Sequence, residues 1–110
     1  FPAEGGEDAL SSLDKELRAL GAGAVPSAAA SVNAPLLEKI LSRLSFPLHV
    51  AGSDFAIPIE NGCRRPGLTG HDRLLDALAA SHLYGSPVIA VDFGTALTFN
   101  LVDGLGIFQG

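Results

Sequence analysis

Methionine is absent from all 110 residues, position 1 included. Translation starts on an initiator, so Phe1 is expected to be a processed start or a cut edge. Cysteine occurs once, at Cys63, which excludes an intramolecular disulfide framework and a thiolate zinc site. Lysine and arginine end at Arg73; beyond it the only charged residues are Asp76, Asp92 and Asp103. With a formal net charge of −5, the chain lacks the basic surface that nucleic acid requires, so no nucleic-acid partner is expected. No apolar run approaches the ~18 residues of a membrane span. The acidic start (Glu4, Glu7, Asp8) also lacks the basic-then-apolar order of a signal peptide. A soluble, cytoplasmic protein without a membrane partner is the expectation. There is no His-x-x-x-His pair for a metal and no Gly-x-Ser-x-Gly elbow for a nucleophile, and Cys63 has no recognisable catalytic partner.

What is present is a globular composition. Apolar residues make up 47% of the chain, too many for a disordered segment. The length suits one domain or part of one, burying roughly two-thirds of its unfolded surface if it folds alone. Residues 1–8, rich in glycine and acids, read as a linker or a cut loop. Leu10, Leu13, Leu17 and Leu20 make an amphipathic helical stripe closing at Gly21. Ser27 to Val32 reads as a short buried strand, although its alanines suit a helix equally well. Asn33 is placed to cap a second helix with Pro35 in its first turn and Leu36, Leu37, Ile40, Leu41 and Leu44 on one face. Phe46–Val50 and Phe55–Ile59 are strand candidates, and 62–70 is loop. Leu74, Leu75, Leu78, Ala79 and Leu83 form a third helical stripe, stopped by Gly85 and Pro87. Val88–Val91 reads as a buried strand, Ala96–Val102 as a second, and Ile107–Phe108 as a third after the Asp103-Gly104 turn. Helices alternating with strands, then three strands in a row, make an α/β protein ending in a meander.

Two constellations carry chemistry. In Val88-Ile-Ala-Val-Asp-Phe-Gly-Thr-Ala-Leu-Thr98 an apolar strand delivers Asp92, Gly94 permits a reversal, and Thr95 offers a hydroxyl and an N–H. Such a turn either cradles phosphate oxygens while the carboxylate holds a cation, or is an ordinary hairpin with a polar tip. The Asp-Phe-Gly spelling within it is not a kinase metal triplet, since no His-Arg-Asp loop or Gly-rich loop accompanies it. In Thr69-Gly-His-Asp-Arg73, at a helix start, free N–H groups and the helix dipole favour anions. There Asp72 is placed to accept a hydrogen bond from a substrate hydroxyl while Arg73 takes a substrate carboxylate. The plainer alternative is a helix-start aspartate and a surface arginine. Arg64, Arg65, His71 and Arg73 together are either a solvated loop or a pocket for an anionic small molecule.

In order and spacing, Gly70-His-Asp-Arg73, the Leu/Ala-rich helix and Asp92-x-Gly-Thr-Ala-x-Thr98 resemble the type III pantothenate kinase family. The likeness extends to Pro66 and to the closing Gly106-Ile-Phe-Gln-Gly110. It implies the ribonuclease H-like (actin-like ATPase) fold, with 1–86 ending the first lobe and 87–110 opening the second. It also implies transfer of the ATP γ-phosphoryl group to pantothenate, the first step of coenzyme A synthesis, in a homodimer using Mg²⁺ and K⁺ or NH₄⁺. Carried over residue by residue, Gly70, His71, Asp72 and Arg73 bind pantothenate, Asp72 is the catalytic carboxylate, Asp92 holds the monovalent cation and Thr95 binds ATP. Three features depart from the pattern. Cys63 stands where a tyrosine is usual, Asn100 stands where an aspartate is usual, and the N-terminal Asp-x-Gly-Asn-Thr phosphate loop is not in this chain. The departures leave a second reading open, a non-catalytic relative that keeps the fold to bind or regulate.

Overall fold

The computed structural model describes residues 6–110, which form two compact units meeting in sequence at Asp54 and Phe55. In the first unit, helix α1 spans Gly6–Ala19 and strand β1 Ala28–Ala29. Helix α2 (Ala34–Leu41) and strand β2 (His49–Val50) follow, β2 pairing in parallel with β1. The small core holds Leu10, Phe46, Val50 and Ala51. Asn33 caps α2 as expected, its Oδ1 accepting from the Leu36 N–H at 3.1 Å. Asp14 on α1 accepts from the Ser45 N–H and hydroxyl, each at 2.8 Å. These bonds, the backbone one first, hold the Asp14 carboxyl below its ordinary pKa.

Several expectations for this unit need correction. Helix α1 begins inside the expected linker, at Gly6, and Leu20 lies past its end, 84% exposed. The strand within Ser27–Val32 is two residues long and not buried, because alanines offer little side chain to pack. Helix α2 stops at Leu41, short of Leu44.

The second unit carries the motifs. Strand β3 is Glu60–Asn61, directly after the apolar run Phe55–Ile59, which is not a strand. A 3₁₀ turn at Pro66–Leu68 precedes helix α3, His71–Tyr84, whose last N–H bonds run through Gly85 to the Ser81 carbonyl. Strands β4 (Val88–Phe93), β5 (Leu97–Val102) and β6 (Ile107–Phe108) form the expected antiparallel meander, and β3 adds in parallel to β6. The sheet order is therefore β3-β6-β5-β4.

Period-two alternation gives the β4–β5 hairpin two different faces. Val88, Ala90 and Asp92 stand opposite Val102, Asn100 and Thr98, and α3 packs on this face. Ala77 on α3, Val102 and Phe108 are fully buried there, with Ile59, Cys63, Leu74 and Val88 around them. The other face pairs Ile89 with Leu101, Val91 with Phe99 and Phe93 with Leu97, all six exposed. The run Val88–Val91 within β4 is thus apolar throughout but covered on one face only, a correction to the buried strand expected there.

The β5–β6 connection depends on a carboxylate. Asp103 Oδ1 accepts from the Leu105 and Ile107 N–H groups at 2.9 and 3.0 Å, and Oδ2 accepts from Gln109 Nε2 at 2.7 Å. The backbone bond from Ile107 is the main reason its pKa is lowered. The left-handed residue of this turn is Gly106, at φ +82°, and not the Gly104 that the Asp-Gly signal points to.

Candidate active site

Helix α3 and the β4–β5 hairpin bring the two motifs onto one seam. Gly70 is the N-cap of α3 and contributes no side chain to the cap, so the first-turn N–H groups of the helix are not capped from within. His71 and Arg73 are half-buried and Asp72 is exposed in the first turn. Asp92 is at the far end of β4, opposite Thr98. Beyond it the chain reverses through Gly94, whose N–H donates to the Ala96 carbonyl at 3.2 Å, and Thr95 is exposed at the tip. The Asp92 carboxylate leans over this reversal: a Cβ added to Gly94 would lie 3.7 and 3.9 Å from its two oxygens.

Arg73 is not a loose surface arginine. Its Nε donates to Asn100 Oδ1 at 2.7 Å, and Nη2 donates to the Phe99 carbonyl at 3.0 Å. The guanidinium also lies 5.5 Å from the centre of the Phe108 ring, within cation–π range. Asn100 is fully buried, and its Nδ2 has no hydrogen-bond partner. An unmet buried donor costs about 1–3 kcal/mol.

Asp76, one helical turn after Asp72, lies outside both sequence motifs. It lines an open groove of about 660 Å³ with Pro58, Leu75, Leu78, Ala79 and His82. Partial burial raises its pKa, and the carboxylates of Asp92 and Asp72 raise it further. The signal that finds Asp76 is the four-residue spacing from Asp72, which puts both on one side of a helix. Asp72 and Asp92, on a helix and a strand at different places in the chain, thus act on a common neighbour. No group of three or more His, Cys, Asp or Glu among the described residues has the geometry to hold a metal ion. What the seam offers a cation is one carboxylate, Asp92, in a field that Asp76 makes more negative. No lysine or arginine follows Arg73 in the chain.

The chain matches the family model of type III pantothenate kinase over residues 4–110. It belongs to the type III pantothenate kinase family. Among curated relatives, the type III pantothenate kinase of Acidiphilium cryptum (strain JF-5) is 54% identical over 56 residues, covering 51% of this chain and 20% of that protein. The type III pantothenate kinase of Nitratidesulfovibrio vulgaris (strain DSM 19637 / Miyazaki F) is 42% identical over 94 residues, covering 83% of this chain and 35% of that protein. That of Desulfovibrio desulfuricans (strain ATCC 27774 / DSM 6949 / MB) is 42% identical over 79 residues, 69% of this chain and 30% of that protein. The chain therefore spans between a fifth and about a third of the length of these relatives. Mixed α/β structure agrees with membership of this kinase family. No helix among the described residues is long and apolar enough to cross a membrane.

Proposed function

We propose that the full-length protein transfers the γ-phosphoryl group of ATP to the terminal hydroxyl of pantothenate, giving 4'-phosphopantothenate and ADP. What supports this most is the family match over residues 4–110, together with the seam that Asp72, Arg73 and Asp92 share. Gly70, His71, Asp72 and Arg73 form the pantothenate side, with Arg73 on the substrate carboxylate and Asp72 on the hydroxyl. The transition state of phosphoryl transfer is loose, so orientation and charge neutralisation matter more than base strength. Asp72 orients the hydroxyl oxygen towards phosphorus and takes its proton as the new O–P bond forms and the bond to ADP breaks. Thr95, at the hairpin tip, offers its hydroxyl and N–H to ATP phosphate oxygens.

Asp92 would hold a monovalent cation, K⁺ or NH₄⁺, and Mg²⁺ would arrive with ATP; when bound, both neutralise phosphate charge. We further propose the ribonuclease H-like fold for the whole enzyme, with 1–86 closing the first lobe and 87–110 opening the second. A cytoplasmic homodimer completes the reading.

The test is pantothenate-dependent formation of ADP and 4'-phosphopantothenate by the full-length protein with Mg²⁺ and K⁺. Turnover that does not depend on pantothenate would overturn it. Calorimetric binding of ATP and pantothenate without turnover would favour a non-catalytic ligand-binding relative instead.

A further inference from the structure

Arg73 reaches from α3 across two strands. Its Nε and Nη2 donate to the Asn100 side-chain oxygen and the Phe99 carbonyl of β5, at 2.7 and 3.0 Å. Its guanidinium carbon stands over the Phe108 ring of β6, 5.5 Å from the ring centre. No carboxylate among the described residues pairs with it. An aspartate at position 100, usual in the family, would hold the guanidinium by charge as well as by hydrogen bond. Asn100 offers one neutral acceptor, and its Nδ2 is buried without a partner. In this chain more of the hold on Arg73 falls to its other neighbours.

Phe108 is placed to supply that hold. It pairs with Val102, so its side chain shares a sheet face with Asn100, two residues back along β5. This is the face that packs under α3, where Arg73 and Ala77 stand one turn apart on one side of the helix. Ala77 brings only a methyl group to the cluster it forms with Val102 and Phe108, which lets the helix approach the sheet closely enough for Arg73 to lie over the ring. Packing at this point asks only for an apolar side chain, and a leucine would meet it. What a phenyl ring adds is a face of negative electrostatic potential, which attracts a cation most strongly where water is excluded. Phe108 is fully buried, so its side of the contact is dry.

We infer that Phe108 is a positioning residue for Arg73: the face of its ring holds the guanidinium over β6, directed at the carboxylate of an anionic substrate. The identity of that anion, pantothenate, rests on the function proposed above; the hold of the ring on Arg73 does not.

The experiment replaces Phe108 in the full-length protein by mono-, tri- and pentafluorinated phenylalanine. These nearly keep the shape of the ring while progressively removing its negative face. The KM for pantothenate is expected to rise stepwise along the series, to about tenfold with the pentafluorinated ring. The KM for ATP stays within about twofold, and Tm does not fall. Asn100→Asp, added to the pentafluorinated protein, is expected to bring the pantothenate KM back to within about threefold of the wild type, because a carboxylate restores the hold by charge. A pantothenate KM that does not change along the series overturns the inference. So does a parallel rise of both KM values, or a rise that Asn100→Asp does not reverse, either of which would mark the ring as core packing only. A second readout does not need turnover. Solvent exchange of the Arg73 Nε–H, assigned by its loss in Arg73→Lys, is expected to quicken with fluorination, and equal exchange along the series would contradict positioning. A wild type that does not phosphorylate pantothenate overturns the proposed reaction, and the Nε–H comparison still decides the role of Phe108.

Discussion

Asp76 on α3 faces Asp92 on β4: partial burial first, and then the Asp92 carboxylate, raise the Asp76 pKa above its ordinary 3.8. A raised carboxyl pKa means that the folded protein holds this proton more tightly than the unfolded chain does. The stability Asp76 contributes is complete below pH 3.8 and is lost as pH rises through the native value. At neutral pH the charged Asp76 therefore works against folding.

Asp76→Asn should accordingly raise the thermal midpoint at pH 7, by about 2 °C for a protein of kinase size. The gain should shrink as pH falls through the native Asp76 pKa and vanish below the unfolded one. Calorimetric scans from pH 3.5 to 7.5 check this; a gain independent of pH would mean that Asp76 is not strained by charge.

Asp103 has the opposite sign. Its pKa is lowered, chiefly by the Ile107 backbone bond, so its stabilisation is present above the ordinary value and is lost as pH falls through the native one. Asp103→Ala should lower the urea midpoint at pH 7. The gap to wild type should close in acid, where the native carboxyl is protonated too.

Gly62, just after β3, lies directly against β6. Its N–H donates to the Phe108 carbonyl at 2.8 Å. An added Cβ would lie 2.9 Å from Ile107 Cγ2 and 3.2 Å from that same carbonyl oxygen. Gly62→Ala should cost about 1–3 kcal/mol, the usual penalty of overpacking. Because Phe108 also lies against Arg73, the variant should weaken pantothenate binding as well. Equilibrium unfolding and calorimetry measure the two effects separately.

Much of this architecture was legible in the sequence, and the exceptions have physical reasons. The α3 stripe, its stop at Gly85 and the β4-β5-β6 meander follow from apolar periodicity and turn chemistry, which act locally. The candidates Ser27–Val32 and Phe46–Val50 do contain β1 and β2, but their two-residue length, and the place of β3, are not legible locally, because such pairing depends on partners far along the chain. Val88–Val91 looked buried since every residue is apolar, and only the hairpin register shows that Ile89 and Val91 face away from α3. At the site, Asp72 and Asp92 stood out through their motifs. Asp76 and the Arg73–Asn100 bond did not, since each depends on where a helix crosses a sheet. The identity of residue 100 was visible, but not its partner.

Asp92 should carry the monovalent-cation dependence. Replacing K⁺ by a bulky organic cation such as tetramethylammonium, too large for the site, should lower wild-type kcat by on the order of tenfold, as expected where a bound ion is a large local charge. In Asp92→Asn the two salts should give the same low rate. A full K⁺ response in that variant would move the cation elsewhere.

The proposed chemistry turns on Asp72, and the most direct measurement compares wild type with Asp72→Asn in the full-length protein. Pantothenate-dependent ADP formation should fall by about a hundredfold or more, the usual contribution of a positioned general base. Pantothenate binding by calorimetry should change little, since Arg73 and its supports are untouched. Undiminished turnover in Asp72→Asn would contradict the account.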